Sequence, residues 1–310
     1  MMDEPISQEE EFEHYRSLLF TIAYRMTGSA SDAEDLVQET YLRYQANASQ
    51  DIVSLKSYLT TIITRLSLDY LKSARVAREQ YFGVWLPEPI LTTGDNESLQ
   101  NNLEKQEALS LAFLCLLEAL NPPERAVFLL HEVFDYPFSE IGTMLEKSSA
   151  NCRQIFHRAR QALQDRRTRF EPEPQRQRQF VLSFLSASQA GDMAALTSLL
   201  SQETISWSDG GGKIQTNFKP IYGQQAVARF WCFWLSGAYK NNRALLHTLE
   251  EINGNPAILF WDEGKLVIAI SMTLNTEGIQ DIYTQMNPDK LAYLQKQLSS
   301  THYRPENRMP

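Results

Sequence analysis

Cysteine is scarce: Cys115, Cys152 and Cys232 are the only three in 310 residues, and they lie far apart. An odd, scattered trio argues against a disulfide framework. The five histidines, His14, His131, His157, His247 and His302, make no metal-ligand spacing with them. Cys115 and Cys152 fall on apolar helix faces and read as small core residues. Long apolar runs are also missing, and nothing approaches the ~20 residues of a membrane span. The opening MMDEPISQEEEFEHY is acidic and polar, unlike a secretory leader. No internal repeat is found. The one glycine cluster, Asp209-Gly210-Gly211-Gly212-Lys213, is not a P-loop, because it lacks the spacing and the hydroxyl after lysine. Positive charge is short as well, with 29 Lys and Arg against 38 Asp and Glu, a formal net charge of −9. These absences lead us to expect a reduced, cytoplasmic chain with no metal site and no cofactor motif. With 43% hydrophobic residues, it has material for two or three globular cores.

The little positive charge there is lies bunched: eight arginines fall between Arg153 and Arg178. The segment SEIGTMLEKSSANCRQIFHRARQAL, residues 139–163, reads as a helix–turn–helix. Ser139 is the expected N-cap, Ile141, Met144 and Leu145 form a short apolar face, and Glu146-Lys147-Ser148 is the turn. On the second helix Cys152, Ile155, Phe156, Ala159 and Leu163 share one face at helical spacing. With Ser148 or Ser149 as its cap, that leaves Asn151, Arg153, Gln154, His157, Arg158 and Gln161 outside, side chains suited to base edges and phosphates in a major groove. The plainer reading is a helical hairpin with a solvated basic face; the Arg, Gln and Asn mixture favours DNA.

Residues 9–170 read as almost wholly helical. One amphipathic helix ends at Gly28. A capping box at Ser31–Glu34 opens the next, which buries Ala33, Leu36, Val37, Thr40, Tyr41 and Tyr44. Its outer stripe is Asp32, Asp35, Gln38, Glu39 and Leu42; such stripes usually serve solubility, and a protein partner is the alternative. A third helix, from about Ser57 to Arg75, buries Leu59, Ile62, Ile63, Leu66 and Tyr70. Its other side, running on towards Glu79, presents Thr61, Thr64, Arg65, Asp69, Lys72, Arg75 and Arg78, which suits either phosphate contacts or plain solvation. Trp85-Leu86-Pro87-Glu88-Pro89-Ile90 and the polar run after it mark a linker. Helix returns over 103–120, and Asn121-Pro122-Pro123-Glu124 opens another. Residues 164–178, with Pro172 and Pro174, form a second linker. Beyond it helices are expected at 180–190, 193–200 and 224–235 and strands at 204–208, 244–250, 257–261, 265–276 and 279–286, an α+β pattern with a mostly antiparallel sheet.

Taken together, AYRMTGSASDAEDLVQETYLR, the basic helix after it, and NPPERAVFLLHEVFDYPFSEIGTMLEKSSANCRQIFHRAR resemble an extracytoplasmic-function sigma factor of the sigma-70 family. Trp85–Ile90 resembles the WLPEP-type linker of the subgroup with a fused SnoaL-like C-terminal domain. Asp209–Lys213 resembles that subgroup's DGGGK motif, and Asn287-Pro288-Asp289-Lys290-Leu291 its NPDKL-type motif. The fold this implies is two all-α sigma domains, the second with the helix–turn–helix, followed by a cone-shaped α+β SnoaL-like domain. Expected boundaries are 1–84, a linker over 85–104, 105–170, a linker over 171–178, and 179–300.

The resemblance also implies roles. Asp32, Asp35, Gln38, Glu39 and Leu42 would dock on the β′ coiled coil of core RNA polymerase. Thr61, Thr64, Arg65, Lys72, Arg75 and Arg78 would melt and read the −10 promoter element. Ser149, Asn151, Arg153, Gln154, His157 and Arg158 would read the −35 element. Trp85, Pro87, Asp209, Gly210, Gly211, Gly212, Lys213, Asn287, Pro288 and Lys290 would form a regulatory contact, with Asp209 and Lys213 presented on a tight tip. The alternative is a ligand-binding or enzymatic protein with an accessory DNA-binding half. Its acid–base candidates are Asp209, His247, Asp262 and Asp281. Trp207, Phe230, Trp231, Phe233, Trp234 and Trp261 would either line a pocket for a small ligand or simply form core.

Overall fold

A computed structural model describes residues 7–47, 52–92, 110–164, 174–240 and 245–300. The helix expected over 103–109 and most of both linkers lie outside these residues, as do the side chains of Arg75 and Arg78. The chain divides into two compact units: Met1–Glu79 with Glu97–Ala108 and Phe113–Arg167, and Gln80–Asn96 with Leu109–Ala112 and Thr168–Pro310.

The first unit is helical. Helix α1 (Gln8–Thr27) opens on a reciprocal capping box between Ser7 and Glu10 and stops at Gly28, whose φ of 71° suits a residue without a side chain. Helix α2 (Ala30–Ala46) is capped by Ser29, which accepts from the Asp32 amide, and not by a box at Ser31. Ser29 is the extended residue there, so Ala30 and Ser31 are already in the first turn. Helix α3 (Leu55–Glu79) closes the three-helix core of Phe12, Leu19, Ile22, Val37, Leu59 and Ile63.

Next come α4 (Leu111–Leu117) and α5 (Pro122–Phe128), the latter with Asn121 and Glu124 capping each other. A π-turn, Leu129–Val133, runs on from α5. Helix α6 (Phe138–Leu145) starts one residue before the expected cap: Pro137 holds the capping position with φ −69° and ψ 150°, leaving Ser139 inside the helix. Helix α7 (Ser149–Gln164) follows a turn in which Glu146 takes the left-handed conformation and the Lys147 amide donates to Gly142 O at 2.8 Å. A Cβ on Gly142 would run into the Lys147 carbonyl, so this tight turn requires glycine there.

The second unit is α+β. Helix α8 (Pro174–Ala190) begins earlier than expected, because Pro174 occupies its start and does not break it. Then come α9 (Met193–Leu199), β1 (Leu200–Asp209), the short β2 (Ile221–Tyr222), α10 (Gln224–Lys240), β3 (Leu246–Ile252), β4 (Asn255–Asp262), β5 (Lys265–Leu274), β6 (Ile279–Gln285) and α11 (Pro288–Ser300). The six strands order as β2-β1-β6-β5-β4-β3, all pairs antiparallel except β1 with β6.

Alternation along the strands gives the sheet two apolar faces. Ile258, Phe260, Ile268, Ile270 and Ile282 pack with Phe184 and Trp231 from α8 and α10. Leu259, Trp261 and Ala269 pack with Leu291, Leu294 and Leu298 of α11 and with Leu91. Leu91 also bridges Ile252 in antiparallel fashion, so the Trp85–Thr92 segment ends as an extension of the β3 edge.

Candidate nucleic-acid interface

Helix α7 carries its polar residues as the periodicity predicts. Cys152, Ile155, Ala159 and Leu163 are buried, while Asn151, Arg153, Gln154, His157 and Arg158 are exposed and Ser149 is half-exposed. The Ser148 hydroxyl accepts from the Asn151 amide at 3.1 Å and caps the helix. The rings of Phe138 and Phe156 meet at 5.5 Å, and the Arg153 guanidinium rests 5.9 Å from the Phe138 centroid. The arginine is thereby held against the end of α7 that a groove-reading helix would insert.

Helix α3 departs from expectation. Thr64 is fully buried and not on an open side, because α5 and α6 pack on that face of the helix. Arg65 reaches across, its Nε donating to Met144 O at 2.8 Å and its Nη2 meeting Glu146 at 3.1 Å. Thr61 is half-buried and donates to Ser57 O, while Lys72 is exposed and pairs with Asp69.

Several residues on this seam were missed by sequence reasoning. Tyr136 Oη lies 2.9 Å from the Thr60 hydroxyl. Arg125, buried, donates to Met26 O at 2.7 Å and meets Glu118 at 2.8 Å. Arg25, also buried, sits 5.2 Å from the Phe134 ring centroid, and loss of water pulls its guanidinium down to about 9. Buried polar residues such as these interrupt an apolar stripe and have no spacing of their own, which is why they were not found.

On α2 the outer stripe is partly engaged. Asp32 accepts from Tyr70 Oη at 2.6 Å and Glu39 pairs with Arg43 at 2.8 Å. Asp35, Gln38 and Leu42 are exposed; Leu42, at 54% exposure, is an apolar residue among acids.

The second unit gathers the regulatory candidates into one cluster. Asp209 is not on a tip: it is fully buried and pairs with Lys290 at 2.7 Å. Its carboxylate also accepts from Tyr81 Oη at 2.6 Å, the Leu86 amide at 2.9 Å and the Gly211 amide at 3.0 Å. Lys290 donates further to Leu86 O at 2.6 Å, and its ammonium lies 4.2 Å from the Trp85 ring centroid and 4.7 Å from that of Tyr81. Asn287 donates to Tyr81 Oη at 2.9 Å and caps α11 through the Asp289 amide, with Pro288 at the first helical position.

Gln285, an unforeseen member, donates to Pro87 O at 3.4 Å. Burial, then the Asp209 hydrogen bond, push the Tyr81 phenol well above its ordinary value. Gly210, Gly211 and Gly212 make the turn: Gly211 has φ 61° and lies against Asn287, and Gly212 has φ 71° and lies against Phe82. Lys213 is presented outward, paired with Asp289, and Gly212 and Pro288 are exposed as well.

The acid–base candidates do not assemble. His247 pairs across the ladder with Phe260, on the face toward α8 and α10, and burial lowers its imidazole. Asp281 pairs with Thr273 and accepts from Trp207 Nε1 at 3.3 Å, on the opposite face. Asp262 ends β4, exposed. Nor do the aromatics share a lining: Trp231 and Trp261 belong to the two different cores and Phe233 is 81% exposed. Among the described residues no group of three His, Cys, Asp or Glu could hold a metal, and no helix is long and apolar enough to cross a membrane.

Burial raises the Asp281 carboxyl, outweighing its hydrogen bonds. Because the folded value lies above the unfolded one, the charged form weakens the fold above that folded value, and stability recovers as pH falls toward the unfolded value. Asp281→Asn should therefore raise the melting temperature at pH 7, with the gain shrinking in acid. A gain that stayed constant from pH 7 to pH 4 would contradict this origin.

Residues 12–76 match the family model of Sigma-70 region 2, and residues 110–163 that of Sigma-70, region 4. The chain is 37% identical over 222 residues to the ECF RNA polymerase sigma factor SigJ of Mycobacterium tuberculosis, covering 71% of this chain and 70% of SigJ. It is 27% identical over 290 residues to the probable ECF RNA polymerase sigma factor SigI of the same species, covering 92% of this chain and 94% of SigI. The crystal structure of the Mycobacterium tuberculosis extracytoplasmic function sigma factor SigJ superposes with a TM-score of 0.72 at 30% identity, covering 92% of this chain and 99% of that one. With both sigma regions in order and a relative of this identity and coverage, the chain belongs to the ECF RNA polymerase sigma factors, which direct transcription initiation.

Proposed function

We propose that α7 reads the −35 element in the major groove, that α3 reads and opens the −10 element, and that Asp35, Gln38 and Leu42, flanked by Asp32 and Glu39, dock on the β′ coiled coil of core RNA polymerase. The observation that carries this reading is the outer face of α7, where Asn151, Arg153, Gln154, His157 and Arg158 stand exposed together on a helix fixed by a buried core. The acidic total fits a subunit that meets promoters only on polymerase, because phosphate affinity depends on local positive charge. The burial of Thr64 and the ties of Arg65 to Met144 O and Glu146 add a condition: α6 must move off α3 before a −10 strand can take up both residues.

The Asp209–Lys290 cluster is the regulatory contact in this reading. It holds residues 81–87, the chain just after α3, and the grip sets how far regions 2 and 4 can separate. An acid–base catalytic role for the C-terminal unit is disfavoured, since His247 and Asp281 lie on opposite sheet faces. The test is core-dependent initiation in vitro by the full chain across a genomic promoter library. Specific start sites are expected, and their complete absence would overturn the reading. Asp35→Ala should lower affinity for core polymerase about tenfold, the scale of a residue worth more than 1 kcal/mol at an interface. An unchanged affinity would misplace the docking stripe.

A further inference from the structure

We propose that the C-terminal unit is a receptor for an extended Leu-Pro-x-Pro peptide, occupied in this state by its own linker and open to a partner protein's segment of the same chemistry. The inference rests on the regulatory reading above and goes beyond it in naming a ligand supplied by another chain.

The segment Leu86–Thr92 is read mainly through its backbone. The Leu86 amide donates to Asp209 and its carbonyl accepts from Lys290. The Pro87 carbonyl accepts from Gln285. The Ile90 amide donates to Asn253 Oδ1 at 3.2 Å, and the Asn253 amide returns a bond to Ile90 O at 3.0 Å. The Leu91 amide donates to Gln297 Oε1 at 2.8 Å and the Thr92 amide to Glu251 O at 3.0 Å.

Four of these receptor side chains, Asp209, Gln285, Asn253 and Lys290, are buried. Buried polar groups cost stability unless satisfied, and here the guest's backbone satisfies them. Pro87 and Pro89 remove two amides that would otherwise need partners and favour an extended course. Leu86, Ile90 and Leu91 bury their side chains. Backbone pairing at a sheet edge with apolar anchors is how sheets take up peptides in general. Beyond the backbone, recognition uses the Trp85 ring, the two prolines, the buried side chains of Leu86, Glu88, Ile90 and Leu91, and the Thr92 hydroxyl, which donates to Glu251 O and accepts from the Gly254 amide.

A tethered guest competes at an effective concentration in the millimolar range, so a free peptide is expected to bind the wild-type chain weakly. The probe is a fluorescein-labelled peptide of residues 80–92, QYFGVWLPEPILT, titrated by anisotropy onto full-length protein. The full chain carrying Trp85→Ala and Leu86→Ala should bind it at least tenfold more tightly than wild type, and Gln285→Ala on that background should reverse the gain. A peptide with Leu86→Asp should not bind either chain.

Equal affinity for both chains, or binding indifferent to Leu86→Asp, would overturn the proposal. Should the doubly substituted chain fail to fold, hydrogen exchange on the wild-type chain decides. Millimolar peptide is expected to strip protection from the chain's own Leu86, Ile90 and Leu91 amides, and unchanged protection overturns the proposal. Asp209→Asn in core-dependent transcription separates the two readings. A change in initiation there without any peptide binding leaves the regulatory contact standing and removes the receptor.

Discussion

Lys290→Met is expected to destabilise the C-terminal unit by about 3–5 kcal/mol, the usual cost of stranding one member of a buried ion pair. Asp209 would stay in place, fully buried, with only neutral donors around it: Tyr81 Oη and the Leu86 and Gly211 amides. The Leu86 carbonyl and the Trp85 ring would lose their cation as well. Urea unfolding followed by Trp fluorescence measures the loss. Asp209→Asn combined with Lys290→Met should recover much of it, because both charges are then gone. If Lys290→Met unfolded at the wild-type midpoint, the ion pair would have no structural weight.

Arg153→Ala is expected to reduce initiation at −35-dependent promoters by about 5–150-fold, the range for one good bidentate base contact worth ~1–3 kcal/mol. Arg153 is exposed on α7 and steadied by the Phe138 ring. Lysine at this position should rescue poorly, since an ammonium cannot make the planar two-bond contact. The informative measurement is a panel of promoters with each −35 base varied in turn. Loss of discrimination at one base pair assigns Arg153 to that base. A uniform loss across the panel would reduce its role to a phosphate contact.

What could be read in advance divides by the kind of signal. Helical periodicity sorted Cys152, Ile155 and Ala159 from Arg153, Gln154 and His157, because a buried stripe repeats every 3.6 residues. Turn chemistry found Gly28 and the Glu146–Ser148 turn. It misplaced the starts of α2, α6 and α8; at α2, which serine is extended, Ser29 or Ser31, depends on backbone dihedrals that composition does not encode.

The cover on Thr64 was invisible for a different reason. The helices α5 and α6 that pack on α3 come from more than 50 residues beyond Thr64, and no local pattern distinguishes a polar face awaiting DNA from one packed on another helix. Asp209 and Lys290 were both singled out by motif, but their pairing was not. Tyr81 and Gln285 complete that cluster, and Asn253 and Gln297 hold the Ile90 and Leu91 amides further along, each without a spacing that marks it.

The bridge of Leu91 to Ile252 has a temporal consequence. A ribosome delivers Leu91 long before it delivers Ile252, and later still α11, which supplies Lys290 and Gln297. At roughly 5–20 residues per second, on the order of ten to forty seconds of synthesis separate the linker from its last partner. During that interval both promoter-reading regions have emerged while the strap behind α3 is still ungripped. In the regulatory reading proposed above, the grip therefore closes only after both regions have been made, and every newly made copy passes through an unrestrained interval first.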